Sequence, residues 1–122
     1  MIKFKDDLIR HEFYRLDKRL MAVIYLIGGF ARQEFKKDIT ITCAYRGDSG
    51  THKDWRAVDM RTRNLSSEEG DKLVAFVNDH IDYGDGKHFV IKDERLPGSS
   101  QNWTAPHIHV QVPPRDEVKL RA

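Results

Sequence analysis

The stretch Pro106-His107-Ile108-His109-Val110-Gln111-Val112 decides how this chain folds, because polar and apolar side chains alternate along it. Alternation with a period of two predicts a half-buried β-strand whose aliphatic side chains face the core. The two imidazoles, His107 and His109, then share the opposite face, about 6.6 Å apart at ~3.3 Å of rise per residue. The strand therefore presents two potential metal ligands side by side.

A second stretch, Gly50-Thr51-His52-Lys53-Asp54-Trp55-Arg56-Ala57-Val58-Asp59, contributes two further potential ligands, His52 and Asp59. Their separation of seven positions is not the spacing that places two side chains on one helical face. We therefore expect a loop followed by a strand, on which Trp55, Ala57 and Asp59 share a face. The chain has only six histidines, so this concentration of ligands predicts a metal site. The alternative is four side chains on exposed segments with no common partner.

Both stretches resemble a group of zinc peptidases. The group includes D-alanyl-D-alanine carboxypeptidases, phage L-alanyl-D-glutamate endolysins, penicillin-insensitive murein endopeptidase, lysostaphin and the Hedgehog signalling domain. Its carboxypeptidase branch carries Ser-x-His-x-x-Gly-x-Ala-x-Asp followed by a late His, and His52, Ala57 and Asp59 keep these relative places. The resemblance covers roughly residues 39 to 112, and its motifs are specific only as a set.

Three positions depart from the carboxypeptidase pattern. Gly50 and Trp55 stand at the Ser and Gly positions. Pro106 stands three residues before the last histidine, where the carboxypeptidase and endolysin branches have an acidic catalytic base. The pair His107 and His109 is instead similar to the His-x-His of the murein endopeptidase and lysostaphin branches.

The expected metal ligands are His52, Asp59 and His109. Two imidazoles and one carboxylate give Zn²⁺ three protein ligands and leave a fourth position for water, which is the catalytic arrangement. His107 is then close enough to act as general base or to stabilise the developing oxyanion. If a fourth side chain closed the site, the zinc would be structural, and the protein would be a non-catalytic zinc-binding module like the Hedgehog domain.

The resemblance also implies substrate-binding residues. Arg46 follows the strand predicted over 39–44, and family members place an arginine at a similar point to bind a substrate carboxylate, which the guanidinium fork suits. Independently of the resemblance, Trp103 in the loop over 96–104 is expected either to form an apolar wall of the pocket or to cover the edge of the sheet. The implied substrate is a peptidoglycan stem peptide, and a phage or prophage role fits a small enzyme. D-Ala-D-Ala, D-Ala-diaminopimelate and L-Ala-D-Glu bonds all remain open.

Composition limits the other possibilities. A length of 122 residues predicts a single domain over 1–122. The net charge of +2 comes from intermixed basic and acidic residues, which argues against nucleic acid as a partner. The N-terminus lacks the apolar core of a secretory signal, and the apolar run over 20–31 is shorter than the ~20 residues that span a bilayer. Cys43 is expected to be a small, buried apolar residue of the 39–44 strand, and the alternative is a nucleophilic or metal-binding thiolate.

The fold class predicted is α+β. Helical periodicity extends over residues 7–36 and over 66–81, where Ser66 is a candidate N-cap. Strands are predicted over 39–44 and 88–92 and at the histidine stretch, and the tail after Pro113 is expected to be an exposed terminus. We expect the N-terminal helices and the 66–81 helix to pack on a small, mostly antiparallel sheet that carries the zinc site.

Overall fold

The computed structural model describes residues 2–47, 50–99, 105–114 and 119–120. Over these residues the chain forms four helices and seven strands, with all four helices in the N-terminal two thirds of the chain. In chain order they are β1 (Ile2–Phe4), α1 (Asp7–Phe13), α2 (Lys18–Phe35), β2 (Ile39–Cys43), α3 (Gly50–Lys53), β3 (Ala57–Met60), α4 (Ser67–His80), β4 (Ile81–Asp82), β5 (Ile91–Glu94), β6 (His107–Gln111) and β7 (Lys119–Leu120).

A five-stranded sheet with the order β1-β2-β3-β6-β5 forms the centre of the molecule. β1 and β2 are parallel, and the other three pairings are antiparallel. β4 and β7 form a separate antiparallel pair. The α+β class and the mostly antiparallel sheet are therefore confirmed. The more specific likeness to the zinc peptidase fold stays a prediction.

The alternation in the histidine strand places its aliphatic residues in the core, as predicted. Ile108, Val110 and Val112 are fully buried. They lie in one apolar cluster with the buried faces of α1, α2 and α4. Because the helices cover this face, the opposite face of the sheet carries the polar side chains. The fold thus assigns one face of the sheet to stability and leaves the other for a site.

Most predicted elements are present, with shifted boundaries. The helix predicted over 66–81 is α4, and Ser66 caps it in a capping box with Glu69. The region over 7–36 divides into α1 and α2, and α2 begins after the cap Asp17 and continues through Gly28 and Gly29. None of the helices in the described part of the chain is both long and apolar enough to cross a bilayer.

One predicted strand is shifted, and one strand was not predicted. The strand expected over 88–92 begins only at Ile91, because the carboxylate of Asp85 accepts the backbone N–H groups of Lys87 and His88 and holds that segment in a turn. Residues 119–120, expected in an exposed terminus, pair with β4. Such pairing depends on a distant partner strand, so the local pattern does not reveal it.

Candidate metal centre

Strand register brings the polar side chains together on the exposed face of the sheet. Asp59 of β3 is the direct partner of His109 of β6, and Cys43 of β2 is the partner of Asp59 on its other side. His107, two residues before His109 in β6, is the partner of Glu94 of β5. Because directly opposite residues in a sheet share a face, these five side chains form one polar cluster.

His52 reaches this cluster from α3, a single helical turn where the sequence predicted a loop. Its imidazole is fully buried, and Nδ1–H donates to the backbone carbonyl of Ala44 at 2.9 Å. In the neutral ring Nε2 then carries the lone pair, and it lies 3.4 Å from Oδ1 of Asp59. Nε2 has no hydrogen-bond partner among the described residues. A buried lone pair that faces a carboxylate oxygen indicates a place for a cation.

The backbone after α3 turns sharply at Trp55, which has a φ of 62°. This is the left-handed region that favours glycine, and the motif of the similar peptidases has a glycine at this position. The Trp55 ring stacks on Tyr45 at 4.6 Å, and the guanidinium of Arg15 lies 4.6 Å from the ring centroid. The prediction that Trp55 lies on one strand with Asp59 was wrong, because β3 begins only at Ala57.

His109 is oriented by Gln111, two residues further along the same strand. The Gln111 amide donates to the carbonyl of Phe89 at 3.0 Å, which turns its oxygen toward His109. His109 Nε2–H can then donate to this oxygen at 3.0 Å, and Nδ1 lies 3.1 Å from Oδ1 of Asp59, which accepts a hydrogen bond when Nδ1 carries the proton. Hydrogen bonds away from the site thus leave Nε2 of His52 and Nδ1 of His109 facing Asp59, as is usual for histidines that bind metals.

Two distances in the cluster match those between ligands of a small tetrahedral metal ion. Bonds of about 2.0–2.2 Å separate two ligand atoms of a tetrahedral site by roughly 3.3–3.5 Å. The contacts from His52 Nε2 and His109 Nδ1 to Asp59 Oδ1 are 3.4 and 3.1 Å. Each histidine therefore lies at a suitable distance from Asp59, with which it could share a metal ion.

Electrostatics at the centre follow from burial and from mutual contact. Burial by itself lowers the pKa of His52, but the neighbouring Asp59 carboxylate, helped by Cys43 and Ala44, outweighs it and raises this pKa to about 9. Burial acts to raise the pKa of Asp59, yet the contacts of its carboxylate with His109 and His52 outweigh burial and hold this pKa well below its usual range. Without metal the pair exists as imidazolium and carboxylate, so a bound metal must displace the His52 proton.

Cys43 also belongs to a group that can hold a metal ion. Donor atoms of Cys43, His52 and Asp59 all lie within 4.8 Å of one another. The prediction of a buried apolar cysteine was wrong, because a register irregularity between Ile41 and Cys43 turns the half-buried thiol onto the polar face. Its Sγ lies 4.0 Å from His52 Nδ1, the nitrogen whose N–H donates to the Ala44 carbonyl. His109 does not belong to this group, although its Nδ1 lies 3.1 Å from Oδ1 of Asp59, so Cys43 and His109 are alternative third ligands beside His52 and Asp59.

Glu94 is a site residue that the sequence did not indicate. It is only 5% exposed, and its Oε1 lies 3.5 Å from Nε2 of His107 and 4.0 Å from Nδ1 of His109. His107 Nδ1–H donates to the carbonyl of Ala105 at 2.8 Å, so Nε2 faces the cluster, 3.9 Å from Asp59. The strand predicted over 88–92 ended before Glu94, and no local spacing links Glu94 to the histidines. Gln111 could have been identified from the sequence, because the strand alternation places its side chain on the same face as His107 and His109.

An open cleft of about 930 Å³ gives access to the cluster. Arg46 lines it, with its guanidinium 3.8 Å from Oδ2 of Asp59 and its side chain about half exposed. The structure thus brings His52, Asp59, His107, His109 and Arg46 together. Trp103 lies outside the described residues.

No family model, curated protein or solved structure matches this chain. The assignment of the site consequently depends on its own geometry and on the motifs of the sequence.

Proposed function

We propose that the protein is a zinc-dependent peptidase that hydrolyses peptidoglycan stem peptides. One observation carries the proposal: the hydrogen bonds of Ala44 and Gln111 leave one ring nitrogen of each of two imidazoles facing the same carboxylate. This cluster opens onto a cleft instead of being closed within the core. A three-ligand site with an accessible side is typical of catalytic zinc.

Zinc is the metal that this donor set favours. His52, Asp59 and His109 supply two nitrogens and one oxygen, a combination common at catalytic zinc sites. A zinc ion held there would act as a Lewis acid on a carbonyl group and would promote the ionisation of water. The peptidase activity and the peptidoglycan substrate are inferred from the motifs around His52, Asp59 and His109, which resemble those of the zinc peptidases.

His107 and Glu94 are suited to move the proton of the attacking water. His107 Nε2 faces the cluster because Nδ1–H is held by Ala105, so Nε2 can accept a proton and later donate it to the leaving amine. Glu94 Oε1, 3.5 Å from this nitrogen, stabilises the imidazolium that forms. Glu94 thereby places a carboxylate in the cluster although Pro106 occupies the position of the acidic base in the similar carboxypeptidases.

Arg46 is suited to bind a carboxylate of the substrate. Its half-exposed guanidinium lies at the edge of the metal ligands, 3.8 Å from Asp59. A peptide carboxylate that pairs with this fork would place the neighbouring amide bond beside His107 and the metal ligands. The attraction between Arg46 and Asp59 holds the guanidinium near the floor of the cleft.

The experiment is to incubate zinc-loaded protein with purified peptidoglycan and with synthetic stem peptides, and to detect new amino groups. We expect release by the wild-type protein and none after chelation or in Asp59→Ala. His107→Ala should keep its zinc and lose a factor of about 10²–10⁴ in turnover, the usual contribution of a positioned acid–base group. His109→Ala should lose zinc affinity first and regain some activity in excess zinc.

Absence of amine release from every peptide by fully zinc-loaded protein contradicts the peptidase proposal. Loss of zinc from His107→Ala, with retention by His109→Ala, reverses the roles within the pair. If His107→Ala changes neither zinc content nor turnover, its role in proton transfer is wrong.

A closed, non-catalytic zinc site is the second candidate, and the position of Cys43 favours it. If the thiolate joined His52, Asp59 and His109, four protein ligands would complete a tetrahedron and leave no place for water. Cobalt substitution distinguishes the two, because a sulfur ligand adds an intense charge-transfer band to the absorption spectrum. A band that disappears in Cys43→Ala supports the closed site, and its absence in the wild-type protein supports the open one.

A further inference from the structure

The cleft above the metal centre is lined by more cationic groups than a single substrate carboxylate needs. Besides Arg46, four basic side chains line it: Lys5, Arg61, Arg63 and Lys92. None of these four forms an ion pair with any residue that the structure describes. The acidic side chains of the cleft are Asp59 and Glu94, and both lie buried at its floor. The rim is therefore positive and not neutralised by this part of the chain.

Register shows that the cations lie on both sides of the metal ligands. Lys92 of β5 is the direct partner of His109 and shares its face on the outer side of the sheet. Arg61 follows Asp59 by two positions in extended chain that still bonds to β2, since its N–H donates to Thr40 at 2.9 Å. Because side-chain direction repeats every two residues in an extended chain, Asp59 and Arg61 point to the same face of the sheet. Asp59 and His109 consequently lie between Lys92 and Arg61.

Such a rim selects for a substrate with more than one negative charge. Several cations in one cleft make its electrostatic potential positive. The cleft then attracts anions, most strongly at low salt. Arg46 alone would satisfy one carboxylate, so the other cations are available to further anionic groups. The volume of about 930 Å³ lies near the upper end of the usual range for ligand pockets, which suits a peptide of several residues.

The same cations would also suit phosphates, but other features disfavour nucleic acid. Binding to single strands relies on exposed aromatic rings that stack on bases. Tyr83 is the aromatic residue among the described residues that line the cleft, apart from histidines, and it is buried. The net charge of the whole chain is only +2, so the positive surface is confined to the cleft and does not extend along the molecule.

We infer that the cleft binds an acidic peptide that carries carboxylates on both sides of the bond to be cut. One side pairs with Arg61, and the other pairs with Lys92. This inference rests on the proposed peptidase function and narrows its substrate class. It predicts that neutralising a carboxylate on either side weakens binding, and that each loss depends on its own cation.

The test uses zinc-loaded protein and a set of four peptides that differ only in carboxylate or carboxamide on either side of the scissile bond. Peptide Kd is measured by titration and kcat/KM by amine release, at low and high salt. The variants are Lys92→Gln and Arg61→Gln, and the control is Lys18→Gln, an exposed cation outside the cleft. Inorganic phosphate and a short single-stranded oligonucleotide are titrated as competitors.

We expect each carboxamide to weaken binding about three- to tenfold, and the effect to shrink in the variant that lacks the paired cation. Lys18→Gln should bind all four peptides as the wild-type protein does. Acidic peptide bound but not cut supports the acidic-ligand inference while contradicting the peptidase. Equal cleavage of all four peptides, with no effect of Lys92→Gln or Arg61→Gln, overturns the inference while the peptidase stands. Tighter binding of the oligonucleotide than of any peptide also overturns it.

Discussion

Replacing Gln111 by leucine should weaken zinc binding while leaving the fold intact. In the metal-bound protein His109 Nδ1 must present its lone pair, so the ring proton lies on Nε2, where Gln111 Oε1 accepts it at 3.0 Å. Leucine has nearly the same volume but no acceptor. The Nε2–H group of His109 would then be buried beside an apolar side chain.

The size of the effect follows from this lost hydrogen bond. A buried donor without a partner costs about 1–3 kcal/mol, and each 1.4 kcal/mol is a factor of ten in Kd. In the metal-free variant the imidazole can place its proton on Nδ1, which faces Asp59 Oδ1 at 3.1 Å. The penalty therefore falls mainly on the metal-bound state, and we expect the Kd for zinc to rise about ten- to hundredfold.

The assay is a competition titration against a chromophoric chelator at fixed pH. Gln111→Glu is the matched control, because its carboxylate still accepts from His109 Nε2–H. Both variants lose the amide donor to Phe89, so their difference reports the effect of an acceptor beside His109, which in glutamate also carries a negative charge. Thermal unfolding of the metal-free variants checks that both are folded.

Wild-type zinc affinity in Gln111→Leu would refute the tautomer argument. Equal losses in the leucine and glutamate variants would show that Gln111 acts by packing or through Phe89, and would equally contradict it.

Three further outcomes are expected. The purified protein should carry about one equivalent of zinc that a chelator removes, since His52, Asp59 and His109 form one site; metal analysis that finds none, with no uptake of added zinc, contradicts the whole assignment. The metal-free protein should lose stability to denaturant as pH rises from 6.5 through about 9, because the folded pKa of His52 is raised and its charged form stabilises the fold only below that range; a flat profile there, or a rising one, argues against the His52–Asp59 ion pair. Trp55→Gly should be more stable than Trp55→Ala by about 1–2 kcal/mol, since alanine is strained at a φ of 62° and glycine is not; chemical denaturation measures the difference, and the reverse order would exclude a left-handed backbone.

Local patterns were sufficient for much of the fold. Alternation in the histidine strand placed Ile108 and Val110 in the core, and the capped, amphipathic pattern over 66–81 predicted α4. These signals are readable because side-chain direction repeats every two residues in a strand and about every 3.6 in a helix. The same periodicity grouped His107 with His109, while their likeness to peptidase motifs added His52 and Asp59. That these side chains bind zinc stays a prediction.

Tertiary structure decided what surrounds those residues. Cys43 faces the cluster because a one-residue irregularity in β2 changes which face its side chain occupies, and a shift of this kind depends on the partner strand. Glu94 joins His107, and Lys92 joins His109, only through the pairing of β5 with β6. Local patterns identified the segments that bear the candidate ligands. The pairing of distant strands set the neighbours of these residues, because strand register is a property of two segments and not of one.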